Sequence, residues 1–290
     1  MATPRIFDCF TFFNEFDLLE LRLQTLWDVV DSFVIVEANC TFTGKPKTYA
    51  FLDNPDRFKP YMSKIVHVKV EDMPIAKGAW ACEHHQRQSI ANGLSQAKPD
   101  DFIIVADADE IVKPAALTSA LEVGQGAITI FVLEDFNFKL NLKAHRSKLN
   151  KGACMIQRKH FRSAQALREV RARRSYSLPD FLEKPFWTWD VFRTHRRLLN
   201  RVVVPNGAWH FSFVMDPEQI RTKMGSYAHV ERNRPDELTD SSILGRIKRM
   251  RSMRDEPLSV VDLEHLPRPI AMHKSSWKHL LFDPIQDNLP

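Results

Sequence analysis

Two carboxylates spaced two residues apart, Asp107 and Asp109, are the side chains of this sequence with the clearest chemical use. They end the segment 102–110, whose β-branched residues at 103–105 predict a buried strand. In a strand this spacing places both side chains on one face, so they can converge on a cation where the strand ends. Oxygen ligands at the carboxyl edge of a parallel sheet suit Mg²⁺ or Mn²⁺ chelated by a diphosphate. The pattern indicates a nucleotide-sugar transferase, with a simple cap on the following helix as the alternative.

The elements around this pair predict an α/β fold. Short apolar runs predict strands at 6–10, 33–36 and 65–70, and apolar residues at helical spacing predict a helix from Phe16 that Asn14 caps. Further helices are predicted near 55–62, 80–97, 217–229 and 236–253, and further strands at 127–133 and 136–142. Strands that alternate with helices imply a parallel sheet with right-handed crossovers, and the two later strands imply a mixed one.

Composition indicates one soluble globular unit. The 290 residues are 44% apolar and 27% charged, and no linker or repeat divides them. Residues 1–145 carry 14 Lys and Arg against 20 Asp and Glu, whereas residues 146–290 carry 27 against 16. An acidic half followed by a basic half fits a site for both a metal and a phosphorylated ligand. We therefore expect a single domain, residues 1–290, with a donor- and metal-binding half (1–145) and an acceptor-side half (146–290) that ends in helices.

The sequence also bears on compartment. No stretch approaches the roughly 18–20 apolar residues of a membrane span, and the N-terminal residues lack the profile of a secretory signal. Scattered cysteines predict buried free thiols rather than disulfides. These cysteines are Cys9, Cys40, Cys82 and Cys154. We expect a soluble cytoplasmic protein without an integral membrane segment.

Four short motifs carry a resemblance to a known family. They lie at 10–20, at 34–38 with 43–47, at 107–111 and at 207–212. In this order they resemble glycosyltransferase family 17, the β-1,4-mannosyl-glycoprotein β-1,4-N-acetylglucosaminyltransferase family, from about residue 6 to about residue 232. The resemblance implies a Rossmann-like GT-A fold with a mixed, mainly parallel sheet. It also implies a UDP-sugar donor (UDP-GlcNAc foremost), Mn²⁺ or Mg²⁺, a glycan acceptor and inversion to a β-linkage. Without an anchor the chain looks like a bacterial or viral member, so the N-glycan acceptor does not carry over.

The resemblance assigns several residues to the donor. Arg87 lies on the helix before the Asp107 strand, where such enzymes face the nucleotide, and Glu37 ends a strand where a carboxylate accepts hydrogen bonds from uracil or ribose. A surface arginine and a strand-end cap are the structural alternatives. Arginines after residue 170 can stabilise the departing diphosphate or form a solvated basic face. The residues expected at the donor are Asn14, Glu15, Glu37, Arg87, Asp107, Arg171 and Arg173.

Metal binding and proton transfer need further side chains. In the Trp-His motif, His210 is expected to join Asp107 and Asp109 as a metal ligand, although a lone histidine after a strand is often structural. Inversion needs a general base on the far side of the sugar from the metal. Glu231 is the first candidate, because its place after the Trp-His motif fits the family pattern. The other candidates are Glu134, Asp135 and Asp216.

Two other classes of protein compete with the transferase. A haloacid-dehalogenase-type phosphohydrolase also ends a strand in Asp-x-Asp, but it has Thr or Val where Ile111 stands, and three predicted strands precede the motif here. A non-enzymatic basic binding protein would use the basic half, yet no nucleic-acid module is recognisable, so we expect no nucleic-acid partner. The basic run 246–254 is expected on an amphipathic helix that faces solvent or a partner.

Overall fold

The computed structural model describes residues 3–145, 152–172, 200–226 and 236–284. In this part of the chain, ten strands form one mixed sheet. The strands are β1 (Ile6–Thr11), β2 (Ser32–Ala38), β3 (Ile65–Val70), β4 (Phe102–Asp107), β5 (Glu110–Val112), β6 (Ile128–Asn137), β7 (Leu142–Ala144), β8 (Gly152–Gln157), β9 (Arg201–Ser212) and β10 (Leu258–Val260). The α-helices are α1 (Phe16–Leu26), α2 (Pro55–Phe58), α3 (Ala79–Gln88), α4 (Pro114–Val123), α5 (Ala164–Arg168), α6 (Pro217–Ser226), α7 (Asp240–Lys248), α8 (Arg268–Met272) and α9 (Lys274–Trp277).

The first four strands form the parallel half of the sheet. Their order is β3-β2-β1-β4, with Thr11 of β1 opposite Asp107 of β4 at the carboxyl edge. Antiparallel β8 then joins β4 to β6, which makes the sheet mixed. Parallel pairs include most of the paired residues. The expected Rossmann-like α/β fold with a mixed, mainly parallel sheet is confirmed.

Both faces of the parallel half are covered, which explains its continuous apolar sequences. Ile6 and Phe10 of β1 pack into one apolar cluster with α1, whereas Phe7 and Cys9 pack into a second cluster on the opposite face. The first cluster extends as far as Leu281, and the sheet takes strands from both halves of the sequence. The two halves are therefore built around shared apolar cores.

Strand β9 is longer than its sequence suggests. It lies between β6 and β5, and its register with β6 shifts where Phe131 and Leu133 face Val204 and Ala208. The extra residues include Asn206, which adopts a positive φ of 50°, so the strand bulges at a stretch that resembles a turn. His210 was expected after a strand. It lies within β9, opposite Glu110 of β5 and Asp135 of β6.

Four local predictions are wrong. Asn14 does not cap α1, because Glu15 occupies the N-cap position and no side chain caps the helix. The segment 136–142 is not a separate strand: β6 continues to Asn137, and Phe138 ends it with a φ of 64°. The helix predicted at 80–97 ends at Gln88, and the one predicted at 236–253 ends at Lys248. The basic run 246–254 therefore leaves its helix and turns back towards the sheet edge.

Cys9, Cys40, Cys82 and Cys154 are free and buried, as the sequence predicted. Burial raises the pKa of the Cys154 thiol to about 12, so this sulfur stays protonated at neutral pH. Among the helices of the described residues, none combines the length and the apolar character needed to cross a bilayer.

Candidate active site

A cavity of about 410 Å³ opens at the carboxyl edge of the parallel strands. This is the edge at which open α/β sheets bind ligands. The ends of β1 and β4 form its floor, α3 and α6 form its sides, and the segment after α7 closes it. The charged side chains on its wall are Glu15, Lys47, Glu83, Arg87, Asp107, Asp109, Asp135, His210, Lys223, Glu237, Arg254 and Glu256.

Arg22 holds the backbone of the turn that carries the two aspartates. This side chain lies on the buried face of α1, is completely inaccessible, and pairs with the equally buried Asp8 at 2.6 Å. Its third nitrogen donates to the backbone carbonyls of Asp107 at 3.0 Å and Glu110 at 2.7 Å. A buried guanidinium thus fixes the backbone of the turn, and no solvent competes for those bonds.

Two arginines hold the first aspartate of the pair. Arg87 Nη2 lies 3.2 Å from Asp107 Oδ1, and Arg168 Nη2 lies 2.8 Å from Asp107 Oδ2. Burial alone would raise the pKa of Asp107, but the charges of Arg168 and Arg87 outweigh it and hold that pKa well below its usual range. Asp107 is therefore an ionised carboxylate with a set orientation. Arg168 also pairs with buried Glu110, whose pKa burial raises.

The second aspartate shares a lysine with a distant glutamate. Lys223 Nζ lies 3.0 Å from Asp109 Oδ2 and 3.0 Å from Glu15 Oε1. Burial disfavours the ammonium, yet Asp109 and Glu15 raise the pKa of Lys223 well above its ordinary value. Two carboxylates that are distant in sequence therefore converge on one cation.

His210 and Asp135 form an ion pair on the wall of the cavity. His210 Nδ1 lies 3.0 Å from Asp135 Oδ1, and His210 Nε2 lies 3.8 Å from Asp109 Oδ1. Burial would lower the pKa of His210, but the hydrogen bond to Asp135 and the charge of Asp109 raise it to about 9. The imidazole is thus protonated at neutral pH in this arrangement.

This raised pKa predicts a pH-dependent stability. Because the folded pKa of His210 exceeds the ordinary 6.5, its contribution is complete below about pH 6.5 and is lost as the pH rises through about 9. We expect metal-free protein to lose on the order of 1–3 kcal/mol between pH 6 and pH 9.5, since one pKa unit corresponds to about 1.4 kcal/mol. Urea unfolding at both pH values measures this loss. A His210→Gln variant should show a smaller loss, and equal losses in the two proteins would contradict the prediction.

The other residues expected at the donor lie at varied distances from the cavity. Glu15 and Arg87 line it. Glu37 is completely buried beside it, where it accepts bonds from the backbone of Ala50 and Phe51 and pairs with Lys47. Contact between Glu37 and a nucleotide would need the loop above it to move, so the described geometry gives Glu37 a loop-supporting role.

Three further donor residues have different positions. Asn14 is half-buried, and its side-chain oxygen is buried without a hydrogen-bond partner among the described residues. Arg171 pairs with Glu169 at 3.1 Å and is not among the residues that line the cavity in the described ranges. Arg173 lies outside the described residues.

The candidate bases differ in whether they face the cavity. Asp135 lines the cavity, whereas the adjacent Glu134 points to the opposite face of β6 and pairs with Lys113 and Lys143. Asp216 lies at the start of α6, where its carboxylate accepts a bond from the Gln219 backbone. Glu231 lies outside the described residues. Within the described chain, Asp135 is the predicted base that faces the cavity.

Sequence reasoning missed several charged residues at this site. Arg168 and Lys223 contact the aspartates from 61 and 114 residues away, and Arg254 was assigned to a solvent-facing helix. Glu83 lines the cavity one turn before Arg87, and its second oxygen is buried without a partner in the described ranges. A partial signal existed for Glu83, because residues four apart on a helix share a face. For Lys223 and Arg168 no local signal was present.

The donor set suits a hard divalent cation, although the side chains do not form a ligand cage as they lie. In the described residues, no group of three His, Cys, Asp or Glu side chains stands close enough to hold a metal. Nevertheless Glu15 and Asp109 already converge on one positive group, the ammonium of Lys223. Carboxylate oxygens are the ligands that Mn²⁺ and Mg²⁺ prefer. His210 Nε2 lies 3.8 Å from Asp109 Oδ1, and Asp107 lines the same cavity. His210 would have to lose its proton to ligate a metal.

Comparisons with known proteins identify one family. The model of glycosyltransferase family 17 matches residues 1–177, which include three of the four motifs of the sequence. The β-1,4-mannosyl-glycoprotein 4-β-N-acetylglucosaminyltransferase of Rattus norvegicus is 32% identical over 115 residues, 37% of this chain and 21% of that protein. The Homo sapiens protein of the same name is also 32% identical over 115 residues, 37% of this chain and 22% of its own length. The match thus spans about a fifth of these relatives.

Solved structures show weaker similarity. The 2-C-methyl-D-erythritol 4-phosphate cytidylyltransferase of Francisella tularensis superposes with a TM-score of 0.38 at 13% identity, covering 70% of this chain and 90% of that one. HddC from Yersinia pseudotuberculosis has a TM-score of 0.38 at 11% identity, covering 73% and 94%. Similarity at this level carries no information about substrate.

Proposed function

The chain belongs to glycosyltransferase family 17, and we propose that it transfers N-acetylglucosamine from UDP-GlcNAc to a hydroxyl of a glycan acceptor with inversion to a β-linkage. The observation that carries this proposal is the charge arrangement of the cavity. Glu15 and Asp109 converge on one position that a cation can occupy. Positively charged side chains such as Arg168 are held in place beside it, and a complex of a metal with a diphosphate requires both features. The named activity of the curated relatives supports the choice of sugar.

We assign the metal position to the aspartate turn. Asp109 and Asp107 would hold Mn²⁺ or Mg²⁺, with Glu15 and the neutral form of His210 as neighbouring ligands. Bound there, the cation would neutralise charge on the diphosphate of the donor. Arg87 and Arg168 each contact one oxygen of Asp107, so they keep this carboxylate ionised and restrict its orientation.

The described residues also supply groups for the transfer itself. The acceptor oxygen attacks the anomeric carbon while the bond from that carbon to the UDP oxygen breaks, and UDP takes the electron pair. The proton of the acceptor hydroxyl passes to a carboxylate, for which Asp135 is the best-placed described residue. Arg254, Glu237 and Glu256 also line the cavity, and such charged groups suit an acceptor rich in hydroxyl groups.

A donor screen tests this function. Purified protein would be incubated with a panel of UDP- and GDP-sugars, with Mn²⁺, with Mg²⁺ or with a chelator, and nucleotide release would be measured. We expect release from UDP-GlcNAc with Mn²⁺ and little release with the chelator. NMR of the product should show a β-configured linkage. An α-configured product would overturn the inverting mechanism, and release from no sugar nucleotide would overturn the transferase proposal.

An Asp109→Asn substitution is expected to separate metal binding from folding. The amide keeps the size of the side chain but removes a charge that a divalent cation requires, so Mn²⁺-dependent UDP binding should weaken by more than the roughly 10–100-fold that outer-shell changes cost. Calorimetry with Mn²⁺ and UDP measures the loss. Asp100→Asn is the matched control, because this exposed aspartate pairs with Lys159 on the surface. Unchanged UDP affinity in Asp109→Asn would remove this residue from the metal site.

A further inference from the structure

Lys223 fills a position between two carboxylates that both contact its ammonium. It lies on α6, near the helix end, and its ammonium is 3.0 Å from both Glu15 and Asp109. Its side chain is 15% exposed, so both ion pairs are largely shielded from water. The lysine occupies the place in the pocket where negative groups from two elements meet.

Both residues have contacts other than those to the lysine. Glu15 Oε2 accepts bonds from the backbone N–H groups of Phe13 and Asn14 at 3.2 Å each, which leaves Oε1 directed at the ammonium. The backbone of Asp109 is fixed, because its carbonyl accepts a bond from the Phe211 N–H at 2.8 Å, and Asp109 Oδ1 lies 3.8 Å from His210 Nε2. The backbone positions from which the two carboxylates reach this place therefore do not depend on the ammonium.

The lysine is also the cation best able to leave. The guanidinium of Arg168 donates to the Gly152 carbonyl, to Asp107 and to Glu110, and a rigid fork with three partners moves only as a unit. Lysine instead carries a point charge on a flexible four-carbon stem. A small swing of that stem would expose Glu15 and Asp109 to an incoming cation.

We propose that Lys223 is a resident cation that a divalent metal replaces between Glu15 and Asp109, and that the displaced ammonium then binds the diphosphate of the donor. This inference rests on the proposed function for the identity of the donor. One ammonium balances only one of the two carboxylate charges, whereas a divalent cation balances both. The displaced ammonium would then be free to pair with the doubly negative diphosphate, so binding of metal and donor would be coupled.

Metal binding without nucleotide tests the first half of the proposal. A Lys223→Met variant removes the competing charge but keeps the length of the side chain, so Mn²⁺ alone should bind about tenfold tighter than to the wild type. Calorimetry or electron paramagnetic resonance of free Mn²⁺ measures this, and Mn²⁺ should also raise the melting temperature of the variant more than that of the wild type. Lys223→Arg, which keeps the charge, should bind Mn²⁺ no tighter than the wild type.

Controls make the result specific. Lys143→Met removes a lysine that pairs with Glu134 on the other face of the sheet, and it should leave Mn²⁺ affinity unchanged. If Lys223→Met folds poorly, Lys223→Gln provides the same comparison with a polar side chain. Equal Mn²⁺ affinity in Lys223→Met, Lys223→Gln and wild type would overturn the exchange.

Nucleotide binding tests the second half. In saturating Mn²⁺, Lys223→Met should bind UDP about tenfold more weakly than the wild type, because one positive contact to the diphosphate is gone. Unchanged UDP affinity would overturn the diphosphate role of Lys223. Failure of the proposed function looks different, because wild-type protein would then bind no UDP in Mn²⁺, whereas the metal-only titration would still report on the exchange.

Discussion

Asp135→Asn is expected to lower turnover by roughly 10²–10⁴-fold, the usual contribution of a general base, while the affinity for UDP-GlcNAc falls by less, at most the roughly 10–100-fold that loss of a partner of a metal ligand costs. Asp135 faces the cavity beside His210, and the substituted amide keeps an acceptor for the imidazole but cannot take a proton from the acceptor hydroxyl. The loss should therefore be larger in kcat than in donor binding. Steady-state kinetics and calorimetry with UDP separate the two quantities.

The neighbouring glutamate provides the matched control. Glu134 is adjacent in sequence, but its carboxylate pairs with Lys113 and Lys143 on the other face of β6. Glu134→Gln should keep turnover near the wild-type value. Glu231→Gln completes the comparison, since the family pattern favours that residue. A large loss of turnover in Glu231→Gln together with a near-normal Asp135→Asn would assign the base to Glu231 and reject Asp135.

Arg22→Met is expected to destabilise the protein by about 3–5 kcal/mol, because removal of one partner leaves the other charge buried and unpaired. Arg22 and Asp8 are both completely buried, and the Arg22 guanidinium also lies 4.1 Å from the centre of the Phe10 ring. Urea unfolding monitored by circular dichroism measures the change. Arg57→Met is the control: that arginine is 34% exposed and pairs with Asp17 and Glu20 on the surface, where a loss of at most about 1 kcal/mol is expected.

A double substitution distinguishes the two contributions of this arginine. Arg22→Met with Asp8→Leu removes both buried charges, so part of the lost stability should return. The carbonyls of Asp107 and Glu110 would lack their donor in both the single and the double variant, so we expect Mn²⁺-dependent UDP binding to be weaker than in the wild type in both. Recovery of both stability and UDP binding in the double variant would show that Arg22 does not position the aspartate turn.

Contiguous segments were the most predictable part of this chain. The strand that ends at Asp107 is read directly from its apolar run, and the first three strands and α1 lie where the periodicity predicts. The hydrogen bonds of a helix, and the pairs of side chains on one face of a strand, join residues that are close in sequence. Short-range patterns are therefore enough to predict these elements. The four motifs likewise placed the chain in its family before any tertiary contact was known.

Position along a strand was less predictable, because it depends on the partner strand. The bulge around Asn206 resembles a turn in sequence, yet pairing with β6 carries β9 through it and brings His210 opposite Glu110 and Asp135. Glu134 and Asp135 are equally plausible in sequence. A register shift of one residue would exchange their faces, and only packing of β6 within the sheet decides between them.

The sequence by itself determined the parallel α/β half, the aspartate pair at its edge and the family. Tertiary structure alone decided which charges surround that pair. Lys223 reaches Asp109 across 114 residues and Arg168 reaches Asp107 across 61, so neither contact leaves a local pattern. Buried charges need partners whatever their separation along the chain, because an unpaired charge in the interior costs several kcal/mol. The aspartates must therefore pair with cationic side chains from distant parts of the chain, and only the tertiary structure shows which side chains these are.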